Sequence, residues 1–305
     1  MALFSIGKGS KLEQIKELPF RLEKEIQELT EQNLTKVFGL NFVRSEFTLN
    51  NFRIDTLAFD KDALSFVIIE YKRDKSFSVI DQGYAYLSLM LNNKADFILE
   101  YNENCKDALK RDDIDWSQSR VIFVSPNFTT YQKEAINFKD LPIELWEIKR
   151  YGNETISYHQ IQTSGSQESV KTISRQDETI EKVTKEIKVY TEQDHLDNAT
   201  AEIKELYEKV KNAILNLDNL EVKPKKLYIA FVASTNVVDV RIQRNGLKMW
   251  LNLPHGQLDD PKGLCRDVSS IGHWGNGDYE IQMRTDEDLE YILSLIKQSL
   301  KANKK

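Results

Sequence analysis

Asp55, Glu70 and Lys72 are the residues of this chain whose types and spacing could do chemistry. Asp55 sits in Phe52-Arg-Ile-Asp-Thr-Leu-Ala-Phe59, which alternates in the manner of a half-buried strand. Glu70-Tyr71-Lys72 follows at the exit of Leu64-Ser-Phe-Val-Ile-Ile69, a continuous apolar run of the kind that marks a strand covered on both faces. If the two strands are hairpin neighbours, Asp55 and Glu70 can lie side by side. The two-residue repeat of a strand also puts Glu70 and Lys72 on one face. Two carboxylates and an ammonium at a sheet edge suit phosphodiester hydrolysis. Mg²⁺ takes hard oxygen ligands, typically one or two carboxylates completed by water and substrate phosphate. It polarises the phosphate and activates water near neutral pH, and a neighbouring lysine can position that water and offset charge building on phosphorus.

The elements that must position these residues follow from periodicity. Leu18, Leu22, Ile26, Leu29, Asn33 and Val37 recur at helical spacing, which predicts one helix over residues 12–38 with Pro19 in its first turn. Phe42–Phe47 alternates as a strand, Asn50-Asn51 and Asp60-Lys-Asp62 are turn signals, and residues 78–93 return to helical spacing. Ala95–Tyr101 and Arg120–Ser125 are expected as short strands, Thr129–Phe138 as a helix and Ile143–Ile148 as a last strand. The order is that of an α/β domain with a mixed sheet flanked by helices.

At the level of motifs, the chain resembles the PD-(D/E)XK nuclease superfamily, and within it the RecB-like and mismatch-endonuclease-type nuclease domains. The matching stretches are Arg53-Ile-Asp-Thr-Leu-Ala58, Val67-Ile-Ile-Glu-Tyr-Lys-Arg73 and Gln82-Gly-Tyr-Ala-Tyr86, within about residues 20–150. The resemblance implies a restriction-endonuclease-like fold and metal-dependent cleavage of a phosphodiester, with DNA as the expected substrate. It implies Asp55 and Glu70 as ligands of Mg²⁺ or Mn²⁺, Lys72 as the catalytic lysine, and Gln82, Tyr86 and Arg73 as substrate-facing residues. It also implies an acidic residue from the first helix. Glu23 matches best, and Glu25 and Glu31 compete with it. Ile54 stands where the proline of the motif's name would be. A lone Glu-x-Lys is usually a solvated strand end; Asp55, Gln82 and the element order set this one apart.

Bulk composition neither adds to nor removes this reading. The chain has 305 residues, 40% hydrophobic and 30% charged, with a net charge of −6. Residues 1–161 carry 21 Lys/Arg against 25 Asp/Glu, so charge supplies no attraction to nucleic acid. No apolar run is long enough for a membrane span or a signal peptide. The two cysteines, Cys105 and Cys265, fall in different predicted domains, as expected of a reducing cytoplasm. The predicted organisation is a nuclease-like domain over 1–161, a polar linker over 162–192 and a small α+β domain over 193–305. That last domain resembles a family of unknown function that ends many nuclease-like chains, some bearing the label "predicted transport protein". Its capping signal Thr191-x-x-Asp194, helix Leu196–Leu217 and Asn245-Gly246 hairpin are legible; the stretch His273–Asp278 reads first as a glycine-rich turn with an anchoring tryptophan, and together with that hairpin and Trp250 as a candidate recognition surface. The rival reading is a non-catalytic module on the same fold that binds nucleic acid or protein. A homodimer, and a ligand or protein partner for the C-terminal domain, are compatible with either reading.

Overall fold

The structure is a computed structural model that describes residues 2–73, 78–138, 140–162, 169 and 177–304. It divides into two compact units, Met1–Val189 and Tyr190–Lys305.

In the first unit, β1 (Leu3–Ile6) and β2 (Leu12–Ile15) pair as a separate hairpin. Then come β3 (Glu17–Leu18), α1 (Glu23–Glu31), α2 (Leu34–Phe38), β4 (Asn41–Leu49), β5 (Phe52–Asp60), β6 (Ser65–Tyr71), α3 (Val79–Asn92) and α4 (Lys94–Asn104). They are followed by β7 (Arg120–Ser125), α5 (Thr130–Ala135), β8 (Ile143–Tyr151), β9 (Ile156–Gln160) and α6 (Glu178–Glu186). Two turns set the β4–β5–β6 meander. Asn50 takes φ 54°, a left-handed conformation that asparagine tolerates. Asp60 Oδ1 accepts from the N–H groups of Asp62 and Ala63 at 3.1 and 2.9 Å, an Asx turn. Ser78 starts α3 by accepting from Asp81 N.

Among the described residues the main sheet runs β3-β8-β7-β6-β5-β4, with β9 also on β8. The β4–β5 and β5–β6 pairs are antiparallel, and β6–β7 and β7–β8 are parallel. Every residue of β6 is buried. Phe66 and Ile68 join the core layer containing Val79, Leu87, Met90 and Phe97 of α3 and α4. Val67, Ile69 and Tyr71 join the opposite layer with Ile26 and Leu34 of α1 and α2. Each such side chain contributes roughly 1.5–3 kcal/mol by leaving water. A one-residue slip would exchange the two layers, so the register is fixed. The α/β class with a mixed sheet between helices is therefore as expected.

Three elements differ from the sequence reading. The helix expected over 12–38 exists only from Glu23, in two pieces. Leu18 precedes Pro19, which disfavours helix, and it pairs with Arg150 in the sheet instead. The break falls at Asn33, and Gly39 ends α2 at φ 70°. Ala95–Tyr101 is not a strand but part of α4: Phe97 and Tyr101, four apart, are buried while Leu99 is exposed. A short apolar run cannot by itself be told from a helix segment. Strand β9 follows the strand expected to be the last. The polar stretch Gln162–Ser174, apart from Gln162 and Ser169, lies outside the described residues. Beyond it, Val183 of α6 and the following Ile187 enter the α3 layer of the first unit.

The second unit contains α7 (Glu192–Leu196), α8 (Ala201–Leu215), β10 (Glu221–Pro224), β11 (Ile229–Val232), β12 (Asn236–Gln243), β13 (Gly246–Leu251), β14 (Arg266–Asp267), β15 (Tyr279–Met283) and α9 (Leu289–Asn303). Thr191 and Asp194 form the expected capping box. The helix expected over 196–217 is split, and Thr200 caps the second piece. The sheet is antiparallel in the order β10-β11-β12-β13-β15-β14. Tyr207 and Val210 of α8 and Leu295 and Ile296 of α9 share a core with Val238, Val240 and Met249 of the sheet.

Candidate active site

Asp55 and Glu70 are the next residues beyond Thr56↔Ile69, the last rung between β5 and β6. Asp55 Oδ2 accepts from Tyr71 N at 3.0 Å, which ties its carboxylate to the end of β6. Glu70 shares the parity of Phe66 and Ile68, so it faces the α3 layer. Its Oε1 accepts from Lys72 Nζ at 2.6 Å and from Gln82 Nε2 at 3.0 Å. Gln82 Nε2 also lies 3.1 Å from the Tyr86 hydroxyl, which donates to Arg53 O at 3.3 Å. One turn of α3 separates Gln82 from Tyr86, so both face the strand. Gly83, between them, sets the depth of the helix: a Cβ there would lie 2.5 Å from Ile143 Cδ1 of β8. The cluster lies where β6 leaves its parallel partner β7, and carboxyl ends of strands are where open α/β sheets place ligands.

The electrostatics are those of crowded, poorly solvated acid groups. Burial, then the Glu70 carboxylate, raise the Asp55 pKa from 3.8 to about 6, against the opposing pull of Tyr71 N–H and Lys72. Burial, then Glu70, also raise Tyr86 well above the ordinary tyrosine range, so its hydroxyl stays protonated. Glu70 is 3% exposed, and its Oε2 is buried without a hydrogen-bond partner. An orphaned carboxylate oxygen beside a second carboxylate is a donor set that suits a hard divalent cation. Among the described residues no three His, Cys, Asp or Glu side chains gather to hold a metal. Two carboxylates are a donor set within the habit of Mg²⁺.

The first-helix glutamates separate by partner. Glu23 Oε1 accepts from Arg73 N at 2.9 Å, so Glu23 reaches the strand exit one residue past Lys72 but does not form a three-carboxylate cluster with Asp55 and Glu70. Arg73 Nη1 donates to Arg21 O, which turns its head towards the start of α1. Glu25 pairs with Arg150. Glu31 accepts from Thr56 Oγ1 at 2.6 Å. Thr56 points opposite to Asp55 along β5, so Glu31 belongs to the other face of the sheet. Sequence reasoning missed Glu46. It sits on β4 between Ser45↔Thr56 and Phe47↔Ile54, at φ 56°, and its charge bears on Asp55. Glu46 holds Arg53 at 2.9 Å and Lys24 at 3.4 Å. No local pattern in Phe42–Phe47 announces that backbone conformation.

In the second unit the structure takes Trp250 out of the candidate recognition surface and leaves Trp274 exposed. Trp250 is buried, and a Cβ on Gly275 would lie 2.4 Å from its ring, so the glycine loop closes over the indole. Asn276 is structural: its N–H and amide donate to Asp239 Oδ2 at 2.6 and 3.0 Å. Trp274 remains exposed, stacked on the Arg241 guanidinium at 3.7 Å. Cys105 and Cys265 are free thiols. No helix of the described residues is long and apolar enough to cross a membrane.

With the fold and the site in view, known proteins group the chain as follows. Residues 192–303 match a domain of unknown function (DUF5655). The chain belongs to the family of an uncharacterized protein of Haemophilus influenzae (strain ATCC 51907 / DSM 11121 / KW20 / Rd), with 55% identity over 302 residues, spanning 99% of this chain and 100% of the relative. Among solved structures it is similar to a repair endonuclease from Pyrococcus abyssi, at 20% identity over 40% of this chain and 45% of that one, with a TM-score of 0.23. It is also similar to the protein of an EndoMS–dsDNA2 complex, at 19% identity over 48% of this chain and 60% of that one, with a TM-score of 0.28. A third similarity is to Pyrococcus furiosus SfsA in complex with Ca²⁺, at 13% identity over 52% and 75% of the two chains, with a TM-score of 0.25.

Proposed function

We propose that the first unit is a metal-dependent nuclease that hydrolyses phosphodiester bonds in DNA. The observation that carries this reading is the convergence of Asp55, Glu70 and Lys72 at the end of β6, with one Glu70 oxygen buried and unpartnered. Asp55 and Glu70 would hold the cation. Bound there, Mg²⁺ or Mn²⁺ would supply Lewis-acid polarisation of a phosphoryl oxygen. Lys72 Nζ is the group that positions the attacking water and offsets the negative charge that builds on phosphorus. Gln82 and Tyr86 fix the Glu70 carboxylate from the α3 side and present neutral donors to the strand being cut. Glu23, through Arg73 N, holds the exit of β6 in place.

The test is cleavage of single-stranded, duplex and branched DNA by the full chain in Mg²⁺, Mn²⁺ or EDTA. Cleavage is expected only with metal, and Lys72→Ala should lower it by about a thousandfold, the scale of losing one group that stabilises transition-state charge. Mn²⁺ should raise the melting temperature of the wild type by linkage, and Asp55→Asn should lose most of that rise. Cleavage that persists in EDTA or in the Lys72 variant would refute the assignment. Metal binding with no cleavage by any form would favour the non-catalytic binding module.

A further inference from the structure

In the second unit, residue alternation splits the sheet into two faces. Val238, Val240, Met249 and Ile281 enter the core shared with α8 and α9. The other face of the same strands carries Asp239 and Arg241 of β12, Lys248 and Trp250 of β13 and Glu280 of β15. The charges on this face are unevenly matched. Lys248 and Arg266 both pair with Glu280, at 3.1 and 3.8 Å, and Asp239 accepts from Asn236 and Asn276. Arg241 stands directly opposite Lys248 in the β12–β13 register, a like-charge pair that costs stability. Among the described residues no carboxylate pairs with it, and burial lowers its pKa. Its guanidinium lies instead 3.7 Å from the centroid of the Trp274 ring. Trp274 is 55% exposed, on the loop whose Gly275 closes over Trp250. Trp250 in turn buries its indole N–H without a hydrogen-bond partner. Among the described residues, then, what this face lacks is an acceptor, and the charge left without a partner is positive.

The arrangement selects a class of ligand. Stacking holds the guanidinium plane in place and leaves its N–H edge to donate. A fork fixed in one plane matches a carboxylate, which accepts two parallel bonds. A nucleic acid strand is a poorer match, because it brings a charge at every step. Glu280 and Asp267 lie on the nearby strands β15 and β14, and residues 190–305 carry 16 Lys/Arg against 18 Asp/Glu. The surroundings are also apolar. Ile271, just ahead of the loop, is 44% exposed, and Leu227, beside Tyr228, is 37% exposed. Tyr228 is joined to the loop by Asn276 Nδ2 at 3.2 Å. An arginine and a tryptophan among exposed apolar groups have the composition of a protein-contact anchor. We infer that Arg241 and Trp274 form a docking site for an acidic peptide segment of a partner protein, with a glutamate or aspartate carboxylate on the Arg241 fork and an apolar neighbour laid on Trp274.

The experiment uses the full chain and two capped peptides that differ at one position, a central glutamate or glutamine between leucines. Binding is read from the ¹H–¹⁵N signals of the Trp274 indole and the Arg241 Nε–H, assigned with Trp274→Phe and Arg241→Lys. The glutamate peptide should shift both signals saturably, and the glutamine peptide should bind about tenfold more weakly, as expected for loss of a charge-assisted pair. Arg241→Lys keeps the charge without the fork and should also weaken binding about tenfold, and Arg241→Gln should abolish it. Trp274→Ala should weaken binding, and Trp274→Phe should restore part of it. Arg241→Gln should melt no lower than wild type, because it removes a cation facing Lys248, so its lost binding is not lost fold. Equal affinity for the two peptides would overturn the inference, as would no saturable shift with the glutamate peptide or unchanged binding by Arg241→Gln. A clear fall in the melting temperature of Arg241→Gln would make Arg241 a structural residue and would also overturn it. Acetate acting at the same concentration as the peptide would replace the docking site with one for small carboxylates. Tighter, Arg241-dependent binding of a single-stranded oligonucleotide would replace the protein partner with nucleic acid.

Discussion

Each unit buries a carboxylate, and the two are treated in opposite ways. Asp239, 1% exposed in the second unit, accepts from Asn236 Nδ2 on one oxygen and from Asn276 N and Nδ2 on the other. Glu70, 3% exposed in the first, has one oxygen bonded and the other orphaned, with Asp55 raising the local negative charge. A carboxylate with its acceptors filled works as a clamp: it pins the loop at Asn276 to β12. A carboxylate left partly unfilled is a cost that a fold tolerates where a ligand will later complete it. Burial alone would not separate the two; the count of partners does.

The comparison breaks most easily at Asp239. Asp239→Ala takes the acceptor from three donors, the buried Asn236 amide among them, and should destabilise the second unit by about 3 kcal/mol, read by urea unfolding. Glu70→Gln in metal-free buffer should stay within about 1 kcal/mol of wild type, because it removes a poorly compensated charge while Lys72 turns to water. Similar losses for the two variants would dissolve the distinction. The next effect is a pH dependence. Asp55 binds its proton more tightly in the folded state, with a pKa of about 6 against 3.8, so its contribution is complete below 3.8 and is lost as pH rises to about 6. Asp55→Asn cannot titrate. In EDTA its stability relative to wild type should therefore grow between pH 4 and pH 7, by on the order of 2 kcal/mol. A difference that stays flat over that range would mean Asp55 is not held in a crowded acidic site. The smallest effect is at Gly275, where Gly275→Ala should cost about 1–2 kcal/mol by forcing the loop off Trp250. A neutral result in thermal melts would show that the loop is not packed on the indole and would reopen Trp250 as recognition surface.

What the sequence makes legible is local. Strand alternation and turn residues give β4, β5, β6 and the neighbourhood of Asp55 and Glu70, because a hairpin needs only the residues within it. The i, i+4 pair Gln82 and Tyr86 is legible for the same reason. The α4 segment is not: it is short and apolar, and only its packing shows that Phe97 and Tyr101 share a face that Leu99 avoids. The choice among Glu23, Glu25 and Glu31 is a question of which sheet face each side chain meets, and helix periodicity alone does not answer it. Glu46 depends on its place across the strand pair, between Ser45↔Thr56 and Phe47↔Ile54, and Asp239–Asn276 on a contact 37 residues apart. The burial of Trp250 is misread for that same reason, since nothing adjacent to it reveals its contact with Gly275.

Strand β6 also gives the chain a problem of timing. Its Ile69 pairs with Thr56, made 13 residues earlier, and with Ile122, made 53 residues later. At about 5–20 residues per second of synthesis, the second partner arrives roughly 3–10 s after the strand itself. During that interval Ser65–Tyr71 is the open edge of a nascent meander, apolar and strongly β-forming, and such edges recruit neighbouring chains. The sequence brackets it with Lys61-Asp62 before and Lys72-Arg73-Asp74-Lys75 after, charges of the kind that guard aggregation-prone strands. On the proposed reading of the site, Lys72 would thus serve the newborn chain as a gatekeeper before it meets a phosphate.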